Sequence, residues 1–299
     1  MAHPSSADAD THQLALDEYA RLGGNCIHLH GEGGEVHSRL ATGQWLHSNG
    51  LRSEFFLCSQ ICHDGWDDLA SRAIDRFTPQ AVSEDVGTDL ELLRTEYLDL
   101  VYLDDRPQMP LEPVIEAVGH EIARGRVRAL GVRNWTADRI QALPGVAAII
   151  TTELSLAAAR EPLWPEYVPF DAELRQVVCD LGLAVFAHAD DVHLGQYLYE
   201  DGNETASMRR RWLRRWEHPG NPGLVQRVRR LAAARGFTPR EVNLAWLLNQ
   251  PLPSVAVVTL PSLLTAHGAE YERASGLVPG QDDLNFLSGS PWPLECNLV

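Results

Sequence analysis

The feature that most constrains the fold of this chain is an alternation of short apolar runs with amphipathic helical patterns, from residue 12 to about 275. The apolar runs are rich in valine, isoleucine and leucine, and they mostly lack the polar–apolar alternation of a half-exposed strand. Such runs are typical of parallel strands that are buried on both faces. They lie at residues 25–30, 55–61, 98–104, 128–134, 147–154, 183–190 and 255–261.

Helical patterns separate the predicted strands. Residues 110–125 carry apolar side chains at three- and four-residue spacing, and residues 238–250 begin with Thr238 as N-cap and Pro239 in the first turn. Repeated strand-then-helix units predict an α/β fold with a parallel sheet covered by helices. The number of strands favours a (β/α)8 barrel of the TIM-barrel type, and no G-x-G-x-x-G motif of a doubly wound dinucleotide fold follows an early strand.

Two long stretches interrupt this order. We expect one domain over residues 1–299, with residues 192–222 and 275–299 as a lid loop and a tail over the barrel mouth. The first stretch contains five arginines, which we interpret as a solvated helix face, with an anion-binding lid as the alternative. They are Arg209, Arg210, Arg211, Arg214 and Arg215.

Composition excludes several classes of protein. The chain has 44% hydrophobic and 22% charged residues, which is typical of a globular protein with a substantial core. Because its net charge is −16, we expect neither nucleic acid nor an anionic membrane as a partner. No apolar run is long enough to span a bilayer, and no secretory pattern is visible. The odd number of cysteines, five, predicts reduced thiols in the cytoplasm. All 25 basic residues are arginine, so lysine chemistry is excluded.

Four separated motifs resemble the aldo-keto reductase family: LLRTEYLDLVYLDDRP at 92–107, EPVIEAVGHEIARGRVRALGVRNWTADRIQAL at 112–143, GLAVFAHADD at 182–191 and PREVNLAWLLNQPLPSVAVV at 239–258. The resemblance implies an eight-stranded barrel whose active site lies at the carboxyl ends of the strands. Members of the family begin with a strand, whereas MAHPSSADAD has no strand pattern. The first strand is therefore either missing or supplied by the tail.

The resemblance also implies a catalytic tetrad of Asp, Tyr, Lys and His. Its Asp position aligns with His28, its Tyr position with Gly33 or the neighbouring Glu32, its Lys position with Gln60 and its His position with Asp104. All four residue types differ from the family's, and the absence of lysine does not depend on an alignment. We therefore expect that conventional carbonyl reduction has been replaced.

The positions that hold NADPH in the family are altered as well. At the two positions that bind the nicotinamide amide in the family, this chain has Arg133 and Asn134. On the next strand Thr151 replaces the family's glutamine, whereas the family's glutamate is retained as Glu153. The ring that stacks on the nicotinamide falls at His188, and no arginine follows the last strand early enough to hold the 2′-phosphate. We predict that no cofactor is bound, with NADPH held through Asn134 and Glu153 as the alternative.

The substituted side chains predict non-redox acid–base chemistry, because histidine titrates near neutral pH and carboxylates orient it. The reaction class would be elimination, isomerisation, cyclisation or hydrolysis of a small polar or anionic metabolite, which an arginine could bind. The predicted catalytic residues are His28, His30, Asp104 and His188. The predicted substrate-binding residues are Gln60, Arg133, Asn134 and Glu153.

Three alternatives stay open. The protein is an NADPH-dependent oxidoreductase with a non-standard site, or it is a non-catalytic ligand-binding or regulatory protein. A Zn²⁺ or Fe²⁺ ion is the third alternative, because His28 and His30 form an H-x-H motif to which an Asp and another His could add ligands. The sequence predicts no oligomeric state.

Overall fold

A computed structural model describes residues 9–30, 35–67, 72–143, 145–151, 154–156, 168–188, 218–258, 260–264 and 267–289. The chain divides into two compact units, which are described one after the other. The first comprises Met1–Trp135 with Leu143–Ala147, and the second comprises Thr136–Ala142 with Ala148–Val299. The single domain expected from the sequence stays a prediction.

The first unit contains a parallel sheet of four strands in the order β1-β2-β5-β6 and an antiparallel hairpin of β3 and β4. Of the helices described in this unit, three lie in the connections between strands of the parallel sheet and one precedes β1. The strands are β1 (Cys26–Leu29), β2 (Phe56–Gln60), β3 (Gly65–Asp67), β4 (Arg72–Ile74), β5 (Leu98–Asp104) and β6 (Val127–Arg133). The helices are α1 (Ala9–Arg21), α2 (Glu35–Asn49), α3 (Pro79–Leu92) and α4 (Glu112–Ala123), with a 3-10 turn at Arg52–Glu54.

The second unit contains β8, β9 and β7 from Ala148 onwards, which are parallel and paired in chain order, and further helices. The strands are β7 (Val146–Thr151), β8 (Ala184–His188) and β9 (Ser254–Val257). The helices are α5 (Ala137–Gln141), α6 (Ala172–Asp180), α7 (Asn221–Arg235), α8 (Pro239–Leu248), α9 (Leu260–Leu263), α10 (His267–Ser275) and α11 (Gln281–Ser288). All seven predicted strands are therefore present.

Burial along β5 shows why an apolar run ends in a polar site. Residues 98–103 are buried, and Asp104, the last residue of the strand, is only half-buried. Apolar side chains on both faces exclude water along the strand, and the carboxyl end is the first position at which a charged side chain is solvated. The polar residues predicted from the sequence lie at such ends.

The predicted start of α8 at Thr238 is confirmed. The Thr238 side chain accepts a hydrogen bond from the backbone N–H of Glu241 at 3.2 Å, and the Glu241 carboxylate accepts one from the N–H of Thr238 at 2.8 Å. This capping box satisfies two backbone donors that a helix start leaves without partners. Thr78 caps α3 by one hydrogen bond only, which its side chain accepts from the backbone N–H of Ala81, and Pro79 follows in the first turn.

The amino end of β5 is held by a cluster with a structural role. The ring of Tyr97 lies between the guanidinium groups of Arg52 and Arg128, at 3.9 and 3.7 Å. Both arginines also donate to the carboxylate of Asp99, at 2.9 and 3.0 Å. Cation–π contacts and charge-assisted hydrogen bonds here join β5 to its neighbours.

Gly43 on α2 approaches the end of α3 so closely that a side chain cannot be added. A Cβ atom there would lie 2.3 Å from the backbone oxygen of Leu92 and 2.6 Å from the Cα of Leu93. We expect Gly43→Ala to lower the free energy of unfolding by about 1–3 kcal/mol, because backbone must shift to relieve the overlap. Urea unfolding measures this.

Gly119 on α4 is the matched control, because a Cβ atom there meets nothing within 4 Å. Gly119→Ala should raise stability by about 0.5–1 kcal/mol through the higher helix propensity of alanine. Equal effects of the two substitutions would contradict the close approach of the two helices.

Several sequence expectations need correction or lie beyond the described residues. The hairpin of β3 and β4 was not predicted, since its three-residue strands are too short to give a periodic pattern. Cys26, Cys58 and Cys62 are free, whereas Cys179 is disulfide-bonded, and an odd total of five does not exclude one pair.

Residues 192–217 and 290–299 of the predicted lid and tail lie outside the described residues, as do residues 1–8. No described helix is long and apolar enough to cross a membrane.

Candidate active site

An ion pair between Asp104 and Arg133 lies at the carboxyl ends of β5 and β6. The two residues are register partners on adjacent parallel strands, so their side chains lie on the same face of the sheet. Arg133 Nε donates to Asp104 Oδ1 at 2.5 Å, and Nη2 donates to Oδ2 at 2.6 Å. The side chains are 15% and 17% exposed. This two-pronged geometry fixes both groups in orientation as well as in charge.

Gln60 from β2 and His30, which follows β1, complete a ring of hydrogen-bonded side chains with this pair. Gln60 Nε2 donates to Asp104 Oδ2 at 2.8 Å, and Gln60 also forms a side-chain hydrogen bond with His30. Arg133 Nη1 lies 3.2 Å from His30 Nδ1. We call these four residues, His30, Gln60, Asp104 and Arg133, the polar ring. Four consecutive strands of one sheet therefore supply one connected group.

The protonation state of His30 follows from this arrangement. Arg133 Nη1 lies 3.2 Å from Nδ1 and 3.5 Å from Nε2 of His30, and because a guanidinium group only donates, it faces a ring nitrogen that carries no proton. Burial, together with the positive charges of Arg133 and Arg39, lowers the pKa of His30 to about 3, although its hydrogen bond with Gln60 acts in the opposite direction. His30 is therefore a neutral imidazole at physiological pH.

His28 lies two residues earlier on β1 and packs against aromatic rings. Its imidazole stacks on the ring of Tyr102 with centroids 4.9 Å apart and planes 12° apart. It also meets His30 edge-on at 5.0 Å. Tyr102 is fully buried, and its hydroxyl donates to the backbone oxygen of Leu29 at 3.5 Å. The two histidines therefore lie side by side, as their spacing predicted.

A buried ion pair that the sequence analysis missed supports the end of β1. Arg39 on α2 donates to Asp89 on α3 at 2.7 Å and to the backbone oxygen of His30 at 2.7 Å. Ser59 accepts from Arg39 at 3.3 Å and donates to the other carboxylate oxygen of Asp89. Both charged side chains are less than 10% exposed. The sequence indicates this pair only by placing a charged residue on the apolar face of a helix twice, Arg39 on α2 and Asp89 on α3.

The remaining predicted residues are placed as follows. Asn134 follows β6 with a backbone φ of 60°, a left-handed conformation that is uncommon for a side-chain-bearing residue. Thr151 is buried at the end of β7, and His188 ends β8 in the second unit, half-buried. Glu153 lies outside the described residues, as do the two positions aligned with the family's tyrosine, Gly33 and Glu32.

The low pKa of His30 makes stability depend on pH. In the unfolded chain a histidine binds a proton near pH 6.5, whereas the folded protein resists protonation of His30 down to about pH 3. The unfolded state therefore binds more protons in this window, and stability is lost as pH falls below 6.5. Between pH 7.5 and 5, His30→Gln should gain roughly 1–2 kcal/mol in unfolding free energy relative to wild type. Urea unfolding at both pH values tests this, and a pH-independent difference would contradict it.

The comparisons with known proteins give the class of protein. The model of the aldo/keto reductase family matches residues 6–267, so the chain belongs to this family. The fold agrees: an aldo/keto reductase from Klebsiella pneumoniae crystallised with NADP and acetate matches with a TM-score of 0.69 at 21% identity, covering 98% of this chain and 90% of that one. The (β/α)8 barrel class predicted from the sequence is confirmed.

Two curated relatives are similar in sequence. The aldo-keto reductase str7 of Strobilurus tenacellus is 25% identical over 237 residues, which are 75% of this chain and 63% of the relative. The chain thus spans less than two thirds of that relative. The NADP(+) aldo-keto reductase yakc of Schizosaccharomyces pombe is 22% identical over 268 residues, which are 84% of this chain and 73% of the relative.

These findings correct two predictions. Non-redox chemistry is wrong as the main interpretation, because the chain belongs to the aldo/keto reductase family and its similar relatives are named as reductases. The expectation of no cofactor is wrong as well, because the similar structures were crystallised with NADP or NADPH. Both errors have one cause: four substituted positions were given more importance than the similarity of some 260 residues. That this chain lacks the family's tetrad stays a prediction.

Proposed function

We propose that this protein is a nicotinamide-dependent oxidoreductase that reduces the carbonyl group of a small molecule. The observation that carries the proposal is the polar ring at the carboxyl ends of four parallel strands, in a chain that belongs to a reductase family. In (β/α)8 enzymes this end of the strands bears the catalytic side chains. The relatives and similar structures that carry NADP or NADPH in their names support the cofactor.

The residues at the end of β6 fit the nicotinamide part of such a cofactor. A nicotinamide carries a carboxamide, and the side-chain amide of Asn134 offers the complementary donor and acceptor. Its left-handed backbone conformation has a steric cost, and such costs are concentrated at binding sites. The cofactor would supply a hydride to the carbonyl carbon of the substrate.

Arg133 and His30 are suited to stabilise the oxygen on which negative charge develops. The guanidinium group is held on Asp104 by two hydrogen bonds and cannot rotate freely, so its N–H donors are oriented before the substrate binds. His30 is a neutral imidazole, a weak acid whose single N–H donates a hydrogen bond without losing the proton. Oriented donors of this kind lower the energy of an oxyanion.

His28 is the candidate proton donor. His30 is excluded from this role because its pKa of about 3 keeps it out of the imidazolium form at neutral pH, and a neutral imidazole is too weak an acid to transfer its remaining proton. His28 lies next to it, half-buried, with its ring oriented by stacking on Tyr102. A general acid at this position would protonate the alkoxide oxygen as the carbonyl carbon is reduced.

The 2′-phosphate that distinguishes NADPH from NADH is usually bound by a basic side chain. In the second unit the arginines of α8 and α10 already pair with carboxylates, Arg240 with Glu270 at 3.0 Å and Arg273 with Glu241 at 2.5 Å. A 2′-phosphate would have to compete with these carboxylates. Both NADPH and NADH therefore belong in the experiment.

The test is a titration of NADPH and of NADH into the purified protein, followed by quenching of emission from its eight tryptophans. We expect saturable binding in the micromolar range and oxidation of the bound cofactor on addition of small aldehydes or ketones. Asn134→Gly should weaken binding about tenfold by removing the amide. Arg94→Gly is the matched control, because Arg94 also has a positive φ, 52°, but lies away from the polar ring. Absence of binding up to millimolar cofactor would overturn the proposal.

A further inference from the structure

The Arg133 guanidinium carries the positive charge of the polar ring, and that charge is already balanced within it. Its Nε and Nη2 donate to the two oxygens of one carboxylate, that of Asp104. Gln60 donates a third hydrogen bond to the same carboxylate at 2.8 Å. Three donors make this anion a strongly held partner, and a substrate carboxylate would have to displace it to bind Arg133 in the same two-pronged way.

The neighbouring groups do not restore a net positive charge. His30 is neutral, and Gln60 has no charge. The next arginine, Arg39, is paired with Asp89 and donates to two further oxygens. Together the two arginines and two aspartates sum to zero. The chain as a whole carries a net charge of −16, which repels anions at a distance.

We infer that Asp104 sets the substrate class of this enzyme: it occupies Arg133, so that uncharged carbonyl compounds bind and carboxylate-bearing ones are rejected. The inference rests on the proposed function, because it concerns the same side chains. It also differs from the anionic metabolite that the sequence suggested, since the sequence shows an arginine but not its partner. An unpaired carboxylate beside Asp104 would be placed next to a like charge in a half-buried site.

Two aldehydes of nearly the same shape distinguish an effect of the substrate's charge from an effect of its size. These are 4-formylbenzamide, which is neutral, and 4-carboxybenzaldehyde, which is an anion at neutral pH. The wild-type enzyme should reduce the amide with a kcat/KM at least tenfold higher than that of the acid. In Asp104→Asn this ratio should shift by tenfold or more towards the acid, because Arg133 loses its anionic partner while the shape of the side chain is kept. Thermal melting verifies that the variant is folded.

Asp64→Asn is the control for the overall change in charge. Asp64 is exposed and pairs with Arg106 at 2.9 Å, so its substitution removes one negative charge without touching the polar ring. It should leave the ratio unchanged. A wild-type preference for the acid, or equal shifts in both variants, would overturn the inference.

A binding experiment without turnover keeps the two proposals separable. Calorimetric titration with benzoate and with benzamide should detect benzoate binding to Asp104→Asn and at least tenfold weaker binding to the wild type. If benzoate behaves in this way but no cofactor is oxidised with any aldehyde, the proposed function fails, and the exclusion of carboxylates by the Asp104–Arg133 pair holds as a binding property of the site. If aldehydes are reduced but Asp104→Asn gains nothing for either anion, the inference fails and the function holds.

Discussion

Asp89→Asn is expected to lower the free energy of unfolding by about 3–5 kcal/mol, because it leaves the buried charge of Arg39 without its counter-charge. Arg39 and Asp89 are both less than 10% exposed and bond directly at 2.7 Å. A buried cation cannot recover its lost hydration from water, so removing its partner costs more than the pair itself contributes. Urea unfolding followed by circular dichroism gives the value.

Two controls make this prediction specific. Replacing both residues by apolar ones, Arg39→Met with Asp89→Leu, should recover most of the loss, since no unpaired charge then remains. Glu18→Ala removes one member of the exposed Arg21–Glu18 pair and should have little effect. A double variant as unstable as Asp89→Asn alone would mean that the hydrogen bond from Arg39 to the His30 backbone, and not the charge, provides the stability.

His28→Gln is expected to lower kcat for carbonyl reduction by about 10²–10⁴-fold, the usual contribution of a general acid. Glutamine keeps a polar side chain of similar length but cannot donate a proton to an alkoxide. The dissociation constant of NADPH should stay within about threefold of wild type, because the proposed nicotinamide contact is Asn134. Steady-state kinetics combined with the tryptophan titration separate the two quantities.

His12→Gln is the matched control for this loss. His12 is another half-buried histidine of the first unit, with Nε2 3.0 Å from the hydroxyl of Thr42, and it lies on α1 rather than at a strand end. Its substitution should leave kcat unchanged. If His28→Gln retains wild-type kcat, a different group protonates the product and the assignment of His28 as the acid is wrong.

The strands and the capped helices could be predicted because their causes are local. Within the run LDLVYLD, residues 98–104, the four consecutive residues 100–103 are apolar on both faces, so they predict a buried strand without knowledge of its neighbours. Thr238 and Glu241 likewise form their capping box within one turn of backbone. The short hairpin of β3 and β4 was not predicted, because the formation of three-residue strands depends on pairing with each other and leaves no periodic pattern in the sequence.

The candidate site could be predicted only in part. The structure brings His30, Gln60, Asp104 and Arg133 together at strand ends, because parallel strands place their carboxyl ends at one edge, and their functional roles stay a prediction. The contacts among these residues could not be predicted from the sequence. The register between neighbouring strands decides whether an arginine binds a substrate or a carboxylate on the next strand. Arg133 is opposite Asp104, and a shift of one residue would have moved that carboxylate to the other face.

The sequence by itself determined the fold class and the family, because hundreds of local choices of apolar, helical and capping residues agree with one another. Tertiary structure alone decided the charge state of the site. The neutral His30, the occupied Arg133 and the buried Arg39–Asp89 pair arise from side chains 29 to 103 positions apart in the chain. Electrostatic energy depends on distance and burial in space, and no local pattern of the sequence carries either.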